Sequence, residues 1–422
     1  MDIQKEPFIP LSRFALIEQL TDLADNKFGD DYPHFLQHLA AWRHQYYRIK
    51  LQRFKELYLP FSPDRDTLKV LEYTPSELRS MQDELISELS TLLIQANYSR
   101  LTVQDIETIF AAKSAYGLEL KVDLSEFEQV LLFSRGSAIE QHQRRTLKSL
   151  FLKKESYEVP IFQRLFLLLK LKPEATRIKE IMAEHSVEEA KAEKLLKKYR
   201  DMLPDKISDD FIYLKTFKQI PQIDLEMLFP NTQVKLKVFD KIKLGVTAGG
   251  GTVGSVVGAV TKLAAAANPL AAGGILLGLI GVIFRQVKKF FTQKNKYMMV
   301  LAQKLYFHNL ANNRGVLTLM TDRAEEEEIK ESFLLYHFLA SETDPQLPET
   351  IKANIEQYIE NEFGARIDFD IKNPIQALSE DSLLLQHADN RISAINPADA
   401  LTIVERLWKA AISTNNSPSA PA

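Results

Sequence analysis

The stretch LGVTAGGGTVGSVVGAVTKLAAAANPLAAGGILLGLIGVIF, Leu244 to Phe284, decides how the rest of the chain is organised. It carries one charge, Lys262, between two uncharged runs, Leu244–Thr261 and Leu263–Phe284. Each run is close to the roughly 20 residues that cross a hydrocarbon core about 30 Å thick. Asn268-Pro269 lies inside the second run, and a proline there removes one helical hydrogen bond and signals a turn. Three readings compete: a helical hairpin turning near Asn268-Pro269, a single span over Leu263–Phe284, or burial of the whole segment in a soluble core. The flanks discriminate between the first two. Lys235, Lys237, Lys241 and Lys243 precede the segment, and Arg285, Lys288, Lys289, Lys294 and Lys296 follow it. A single span should show charge asymmetry, whereas a hairpin places both flanks on the positive, cytoplasm-like side. The hairpin is therefore expected, with Lys262 snorkelling outward near its far turn. Its second arm, Leu270–Phe284, is about 22 Å of helix at 1.5 Å per residue, so the hairpin is shallow or extends to Phe291.

Ten of the fifteen glycines fall between Gly245 and Gly281. Gly250, Gly254 and Gly258 recur every four residues, as do Gly274 and Gly278, which strips one helix face to its backbone. Such faces let helices approach closely in lipid. Packing of the hairpin on itself is the simplest use of them, and association between copies, up to a glycine-packed pore, is the sharper one. From Lys241 to Thr321 there is no acid, while ten Lys or Arg occur; from Asp322 to Ala422 nineteen acids face eight basic residues. A basic stretch that is also the most apolar suits anionic lipid headgroups, with Lys241, Lys243, Arg285, Lys288 and Lys289 as the contacting residues.

The remainder has the composition of a water-soluble protein, with 26% charged and 45% hydrophobic residues. The absence of cysteine excludes disulfides, thiolate metal sites and cysteine nucleophiles. The start, Met1 to Pro7, is acidic and has no apolar signal core, so insertion is expected to use the internal segment.

The organisation expected is α+β. A helical N-terminal region occupies 1–115, with three-to-four spacing in Phe35, Leu36, Leu39, Trp42 and in Leu78, Met81, Leu85, Leu89, Leu92. A β-rich domain follows over 116–243, with strands at Leu118–Val122, Val130–Phe133, Val159–Leu171, Phe211–Phe217 and Val234–Phe239 and a charged, solvated helical insertion near 174–199. The membrane hairpin covers 244–284. A long helix, Val287–Asn312, is expected to close on Asn312-Asn313-Arg314-Gly315, whose Asn and Gly suit a left-handed cap. The C-terminal region, 285–412, continues with helices at Ala324–Ala340 and Pro348–Phe363, a short strand near Arg366–Phe369, a helix near Pro374–Leu378, a strand at Ser382–Leu385 and a last helix at Pro397–Ile412. That order resembles a winged-helix module, a likeness that carries no function. The tail 413–422 reads as disordered.

Motifs with chemical meaning are few. Gly249-x-Gly251-x-x-Gly254 matches a dinucleotide-binding fingerprint, but the acid expected about 20 residues onward is missing and no Gly-Lys-Ser/Thr follows. His34 and His38 share a helix face near His44, Asp30 and Asp31, yet two histidines do not close a metal site and exposed helix positions explain them. The acidic run Glu325–Glu328 reads as the start of a helix, where carboxylates meet the positive end of the dipole. Asp64-Arg65-Asp66 reads as a turn rather than a hard-cation site. Arg135-Gly136 ends an expected strand, and Arg144, Arg145, Lys148, Lys153 and Lys154 after it read as a solvated basic loop. No catalytic signature is present. No cofactor, metal or nucleic acid is expected.

Longer strings do resemble a family. Phe211-Ile212-Tyr213-Leu214-Lys215, Ile220-Pro221, Asp224-Leu225-Glu226-Met227-Leu228 and Phe239-Asp240-Lys241 look like the domain-of-unknown-function family that includes transmembrane protein 143. So do Tyr306-Phe307, Asn309-Leu310, Asn312-Asn313, Gly315, Ala324-Glu325-Glu326, Glu331, Leu334-Leu335-Tyr336, and the stretches Tyr58–Asp66 and Val122–Gly136. The resemblance covers about residues 32–339. It implies a membrane protein with paired hydrophobic segments, mitochondrial in animals and also present in plants and bacteria, with no known activity. The chain departs from the animal members in lacking an evident transit peptide, which favours a bacterial-type member over a mitochondrial address. The function expected is that of a membrane-anchored interaction or scaffold protein, with a glycine-packed oligomeric pore and a membrane-surface enzyme of unrecognised class as the alternatives.

Overall fold

The computed structural model describes residues 5–24, 27–64, 72–111, 119–145, 154–201, 203, 207–235, 292, 299 and 306–415. Its N-terminal part is helical, as the apolar spacing predicts: α1 (Arg13–Ala24), α2 (Asp31–Tyr58), α3 (Pro75–Gln95) and α4 (Val103–Ala111). Along α2, Tyr32, Phe35, Leu36, Leu39, Tyr47, Phe54 and Leu57 make one buried stripe. Thr74 starts α3 with a reciprocal capping box: Glu77 N donates to Thr74 Oγ1 (3.3 Å) and Thr74 N donates to the Glu77 carboxylate (2.7 Å).

The middle of the chain supplies β1 (Ser99–Arg100), β2 (Glu119–Lys121), β3 (Phe127–Arg145), β4 (Lys154–Leu171), β5 (Ile212–Pro221), β6 (Gln233–Lys235) and β7 (Asn309–Asn312). Five of these form a central antiparallel sheet in the order β1-β3-β4-β5-β7, and β2 pairs with β6 apart from it. Residues 165–169 of β4 are buried without interruption because the sheet is covered on both sides. Leu131, Phe133, Phe166, Leu168, Ile212 and Leu214 pack against helices on one face. Leu132, Leu165, Leu167, Leu169, Phe217 and Ile220 pack on the other, against α4 and the 3-10 turn Gln222–Leu228. Strand β3 runs well past the expected Phe133, since its polar half pairs residue for residue with β4. The charged insertion is two helices, α5 (Glu174–His185) and α6 (Glu189–Arg200), broken at Ser186 in the left-handed conformation (φ 50°). It is tied down by Arg177, which is buried and bonds Glu126 (2.8 Å), Glu184 (2.9 Å) and Glu180 (3.1 Å).

After β7 comes α7 (Arg314–Ala340), 27 residues and so about 40 Å long. Its first turns lie on the sheet through Val316, Leu317, Met320 and Ala324. Its second half enters a separate core with α8 (Pro348–Phe363), α9 (Lys372–Glu380), the hairpin β8 (Leu384–Gln386) and β9 (Ile392–Ala394), and α10 (Pro397–Asn415). Ile9, Leu16, Leu20, Phe35 and Leu39 from the N-terminal part join that core. Glu6 also makes a parallel bridge to Ile367, and Gln346 an antiparallel one to Ile392. The two ends of the chain are thus packed as one body around α7.

Two boundaries are corrected. The helix expected over Val287–Asn312 does not reach Asn312, because Asn309–Asn312 is an edge strand. Helix α10 continues to Asn415, into the tail expected to be disordered. Among the described residues no helix is long and apolar enough to cross a membrane. The expected hairpin Leu244–Phe284 lies outside the described residues, with its turn Asn268-Pro269, its packing glycines Gly250, Gly254, Gly258, Gly274 and Gly278, and its headgroup contacts Lys241, Lys243, Arg285, Lys288 and Lys289.

Candidate functional site

Sequence pattern alone reads the residues that link the sheet to the helical core as a helix end followed by a helix start. Both readings are reversed. Asn312-Asn313-Arg314-Gly315 begins a helix: Asn313 (φ 47°, ψ −120°) stands before α7. The Asn313 backbone N–H donates to Leu214 O (2.7 Å), its Oδ1 accepts from Leu214 N (3.2 Å), and its Nδ2 donates to Asp64 Oδ2 (2.7 Å). One residue therefore ends the β5–β7 ladder, turns the chain and holds the Pro63-Asp64 connector. Asparagine tolerates positive φ, which Asn313 adopts at this strand-to-helix turn and which a helix C-cap would also use, so the same residue is compatible with either reading.

Because α7 starts at Arg314, the run Glu325–Glu328 falls mid-helix, where its carboxylates meet side chains rather than a helix dipole. Glu327, Glu328, Lys330 and Glu331 are all buried. Glu327 accepts from Arg135 Nη2 (2.8 Å), Lys330 Nζ (2.7 Å) and Ile9 N (3.2 Å), and Lys330 Nζ donates in turn to Ile9 O (2.7 Å). Glu328 accepts from the Tyr47 hydroxyl (2.7 Å) and pairs with Arg43 (3.1 Å). Arg43 also pairs with Asp381 (2.5 Å) and donates to Ala377 O (2.8 Å), while Trp42 Nε1 donates to the Asp381 carboxylate (3.0 and 3.1 Å). Glu331 receives one bond, from Asn97 Nδ2 (2.8 Å).

Three buried cations, Arg43, Arg135 and Lys330, thus face three paired carboxylates, Glu327, Glu328 and Asp381. Glu331 is the fourth acid in the layer. Burial, reinforced by the charges of Glu327, Asp370 and Glu328, pushes its carboxyl well above the ordinary range, which favours its neutral form. The layer balances only with Glu331 protonated. Chemically it is a structural seam: its cations are consumed by internal carboxylates, and it joins the sheet (Arg135), α2 (Arg43, Tyr47), α7 and α9–β8 (Ala377, Asp381).

The remaining sequence candidates scatter. His34 is exposed, His38 Nδ1 lies 2.8 Å from His34 O, and His44 bonds Glu325 (3.0 Å). No group of three metal-ligating side chains occurs among the described residues. Arg135-Gly136 is in the middle of β3, with the guanidinium 4.4 Å from the Phe8 ring, so Arg135 belongs to the seam and not to a solvated loop. Arg144, Arg145 and Lys154 lie at the far ends of β3 and β4, while Lys148 and Lys153 are outside the described residues.

At the other end of β7 the chain shows a different surface. Tyr306 and Phe307, the residues that follow the undescribed stretch, are 78% and 69% exposed with their rings 5.2 Å apart. His308 Nδ1 lies 2.7 Å from Lys218 O, tying this aromatic pair to the end of β5. The same end of β5 runs into the turn Gln222–Leu228, where burial pushes the Glu226 carboxyl up to about 7. Residues 127–315 match the model of a protein family of unknown function, DUF3754. The DUF3754 match begins at Phe127, the first residue of β3, and ends at Gly315 in the first turn of α7. It takes in β3, β4, β5, β7 and the glycine-rich segment between β5 and β7, and leaves out the C-terminal helical core. The likeness expected to transmembrane protein 143 goes further than this match does. No solved structure matches the chain.

Proposed function

We propose that this chain is a membrane-anchored interaction or scaffold protein whose helical and sheet parts form one body on a single face of a bilayer, tethered by the glycine-rich segment as a helical hairpin. The observation that carries the reading is the β5–β7 ladder, in which Lys215 faces Asn312, Thr216 faces Ala311 and Phe217 faces Asn309. One of these strands precedes the glycine-rich segment and the other follows it. A stretch of chain that leaves one sheet after β5 and returns to it at β7 crosses a bilayer an even number of times or not at all. A single span would tear β7 from β5. The basic residues on both flanks agree with this, and the exposed Tyr306 is of the kind enriched at the headgroup level.

The winged-helix order expected for the C-terminal part extends to a third strand position, since Gln346 between α7 and α8 bridges β9. With nineteen acids against eight basic residues from Asp322 onward, this part suits a protein partner and not a nucleic acid, whose backbone repels such a surface.

Cysteine labelling tests the topology directly, because the chain has no cysteine of its own. With the full chain in sealed vesicles, Lys235→Cys and Tyr306→Cys should react with an impermeant maleimide from the same side. Reaction from opposite sides refutes the hairpin, and release of the full chain by alkaline carbonate refutes the anchor.

A further inference from the structure

The sheet face that carries α7 ends in a row of positive charge. Register places Arg135 of β3 opposite Arg164 of β4, and Arg164 opposite Lys218 of β5, so all three project from the same face. Arg323 of α7, one turn before Glu327, comes down beside them, within the electrostatic reach of Arg164. Arg135 is neutralised by Glu327 (2.8 Å). Arg164, Lys218 and Arg323 are half-buried, and none of the three makes an ion pair with a carboxylate among the described residues. Nearby acids are engaged elsewhere: Glu327 holds Arg135 and Lys330, and Glu6 accepts from Gln163 (3.5 Å). Asp322 lies beside His44 as well as Arg323. The Arg164 guanidinium, whose Nη1 donates to the neighbouring Gln163 O (2.9 Å), is held below the ordinary arginine range by desolvation and by the charges of Arg323 and Arg135. Buried Tyr98 lies in the field of Arg135, Arg323 and Arg164.

Like charges directly opposite each other across strands destabilise a sheet. Here they stand in a row, partly out of water, with a fourth cation above them. The geometry points to a binding site for a phosphate-bearing anion, held by Arg164, Lys218 and Arg323. Guanidinium groups from two elements present planar forks to phosphate oxygens, and a lysine adds a point charge. The site is at the end of β5 where His308 bonds Lys218 O, beside the exposed Tyr306 and Phe307. That position offers two sources of the same chemistry, a lipid headgroup or a soluble phosphate.

The test uses the full chain in nanodiscs of phosphatidylcholine alone or with phosphatidic acid, and its thermal midpoint. Inorganic phosphate, at ionic strength matched with chloride, should raise the midpoint in phosphatidylcholine discs if the ligand is soluble; phosphatidic acid alone should raise it if the ligand is a headgroup. Arg164→Gln, Lys218→Gln and Arg323→Gln should each increase the phosphate concentration, or the phosphatidic acid fraction, needed for the same response at least about tenfold. In phosphatidylcholine discs without phosphate, Arg164→Gln and Arg323→Gln should match or exceed the parent midpoint, because each relieves repulsion. No response of the parent chain to either probe overturns the site, as does a response that survives all three substitutions. The soluble arm can be repeated in detergent without a bilayer, so the site stands or falls separately from the anchor.

Discussion

Arg43 is the residue on which the seam can be tested most sharply. Its guanidinium holds Glu328 at 3.1 Å and Asp381 at 2.5 Å, with the three side chains only 4–7% exposed. Replacing it by methionine keeps most of the volume but leaves two carboxylates in a low-dielectric layer. Breaking a buried pair from one side costs about 3–5 kcal/mol, a large part of the roughly 5–15 kcal/mol that holds a protein folded. Neutralising the orphaned acids as well should undo most of that loss. In Arg43→Met/Glu328→Gln/Asp381→Asn the amide oxygens introduced at positions 328 and 381 still accept from Tyr47 and Trp42, and the desolvation of three charges is avoided. The expected outcome is a single variant about 3–5 kcal/mol less stable than the parent and a triple variant within about 2 kcal/mol of it. Urea unfolding followed by tryptophan fluorescence reads it, since Trp42 donates to Asp381 and reports on the seam itself. A single variant that loses less than about 1 kcal/mol, or a triple variant no better than the single one, refutes the idea that Arg43 stabilises this layer by pairing two otherwise orphaned carboxylates.

Three further outcomes follow from the same structure. Glu331 is neutral when folded and ionised when unfolded, so its contribution is full at low pH and is lost as pH rises above about 4.3, by about 1.4 kcal/mol per unit up to its folded value. Glu331→Gln should therefore be more stable than the parent at pH 8 and equal to it near pH 4; a pH-independent difference would contradict this. His337, buried and 2.7 Å from the Tyr32 hydroxyl, has its pKa lowered by desolvation and by Lys27 to about 4. Its stabilising contribution is full above about 6.5 and is lost as pH falls through about 4, up to about 3 kcal/mol in all, so His337→Gln should flatten the acid limb of the stability curve. Gly136 (φ 68°) and Gly29 (φ 69°) both sit in the left-handed region, but only at Gly136 would a Cβ meet a neighbour, Gln163 Oε1 at 2.7 Å. Each should lose about 1–2 kcal/mol on change to alanine, and Gly136→Ala should lose more, as thermal unfolding of the two variants would show.

How much of this is legible in the sequence depends on whether the pattern is local. Helix α8 is expected at its observed bounds, Pro348–Phe363, because Ile351, Ile355 and Ile359 mark one face and Gly364 stops it. Strand β4 is visible because burial on both sides leaves an unbroken apolar run, whereas the polar half of β3 has no alternation to read and shows itself only through pairing with β4. The seam is hidden for a different reason. Glu327 is 192 residues from Arg135, and Glu328 is 281 from Tyr47, so nothing near the acidic run betrays its partners. Four consecutive glutamates read as the first turn of a helix until the helix that carries them is known to begin at Arg314. That start is itself concealed by the ambiguity of Asn-Asn-Arg-Gly.

The charge partition seen in the sequence gains a direction from the fold. The acid-free stretch from Lys241 to Thr321 does not end with the glycine-rich segment; it continues through β7 and the first two turns of α7, which lie on the sheet. Arg164, Lys218 and Arg323 gather where the chain returns to the sheet from that segment, while the rest of α7 and the C-terminal core carry nineteen acids against eight basic residues. An anionic bilayer would draw the first group toward itself and repel the second. The β5–β7 ladder holds the two strands that bracket the proposed tether beside the attracted group. The proposed anchor and the charge distribution call for the same orientation, although one is argued from strand pairing and the other from the order of charges along the chain. The agreement can be broken experimentally: Lys218→Glu/Arg323→Glu reverses the local charge without touching the ladder or the segment. It should leave carbonate-resistant attachment unchanged while lowering the fraction of Tyr306→Cys that is protected from an impermeant maleimide on phosphatidic acid membranes. Equal protection in parent and variant would mean that charge plays no part in seating the body.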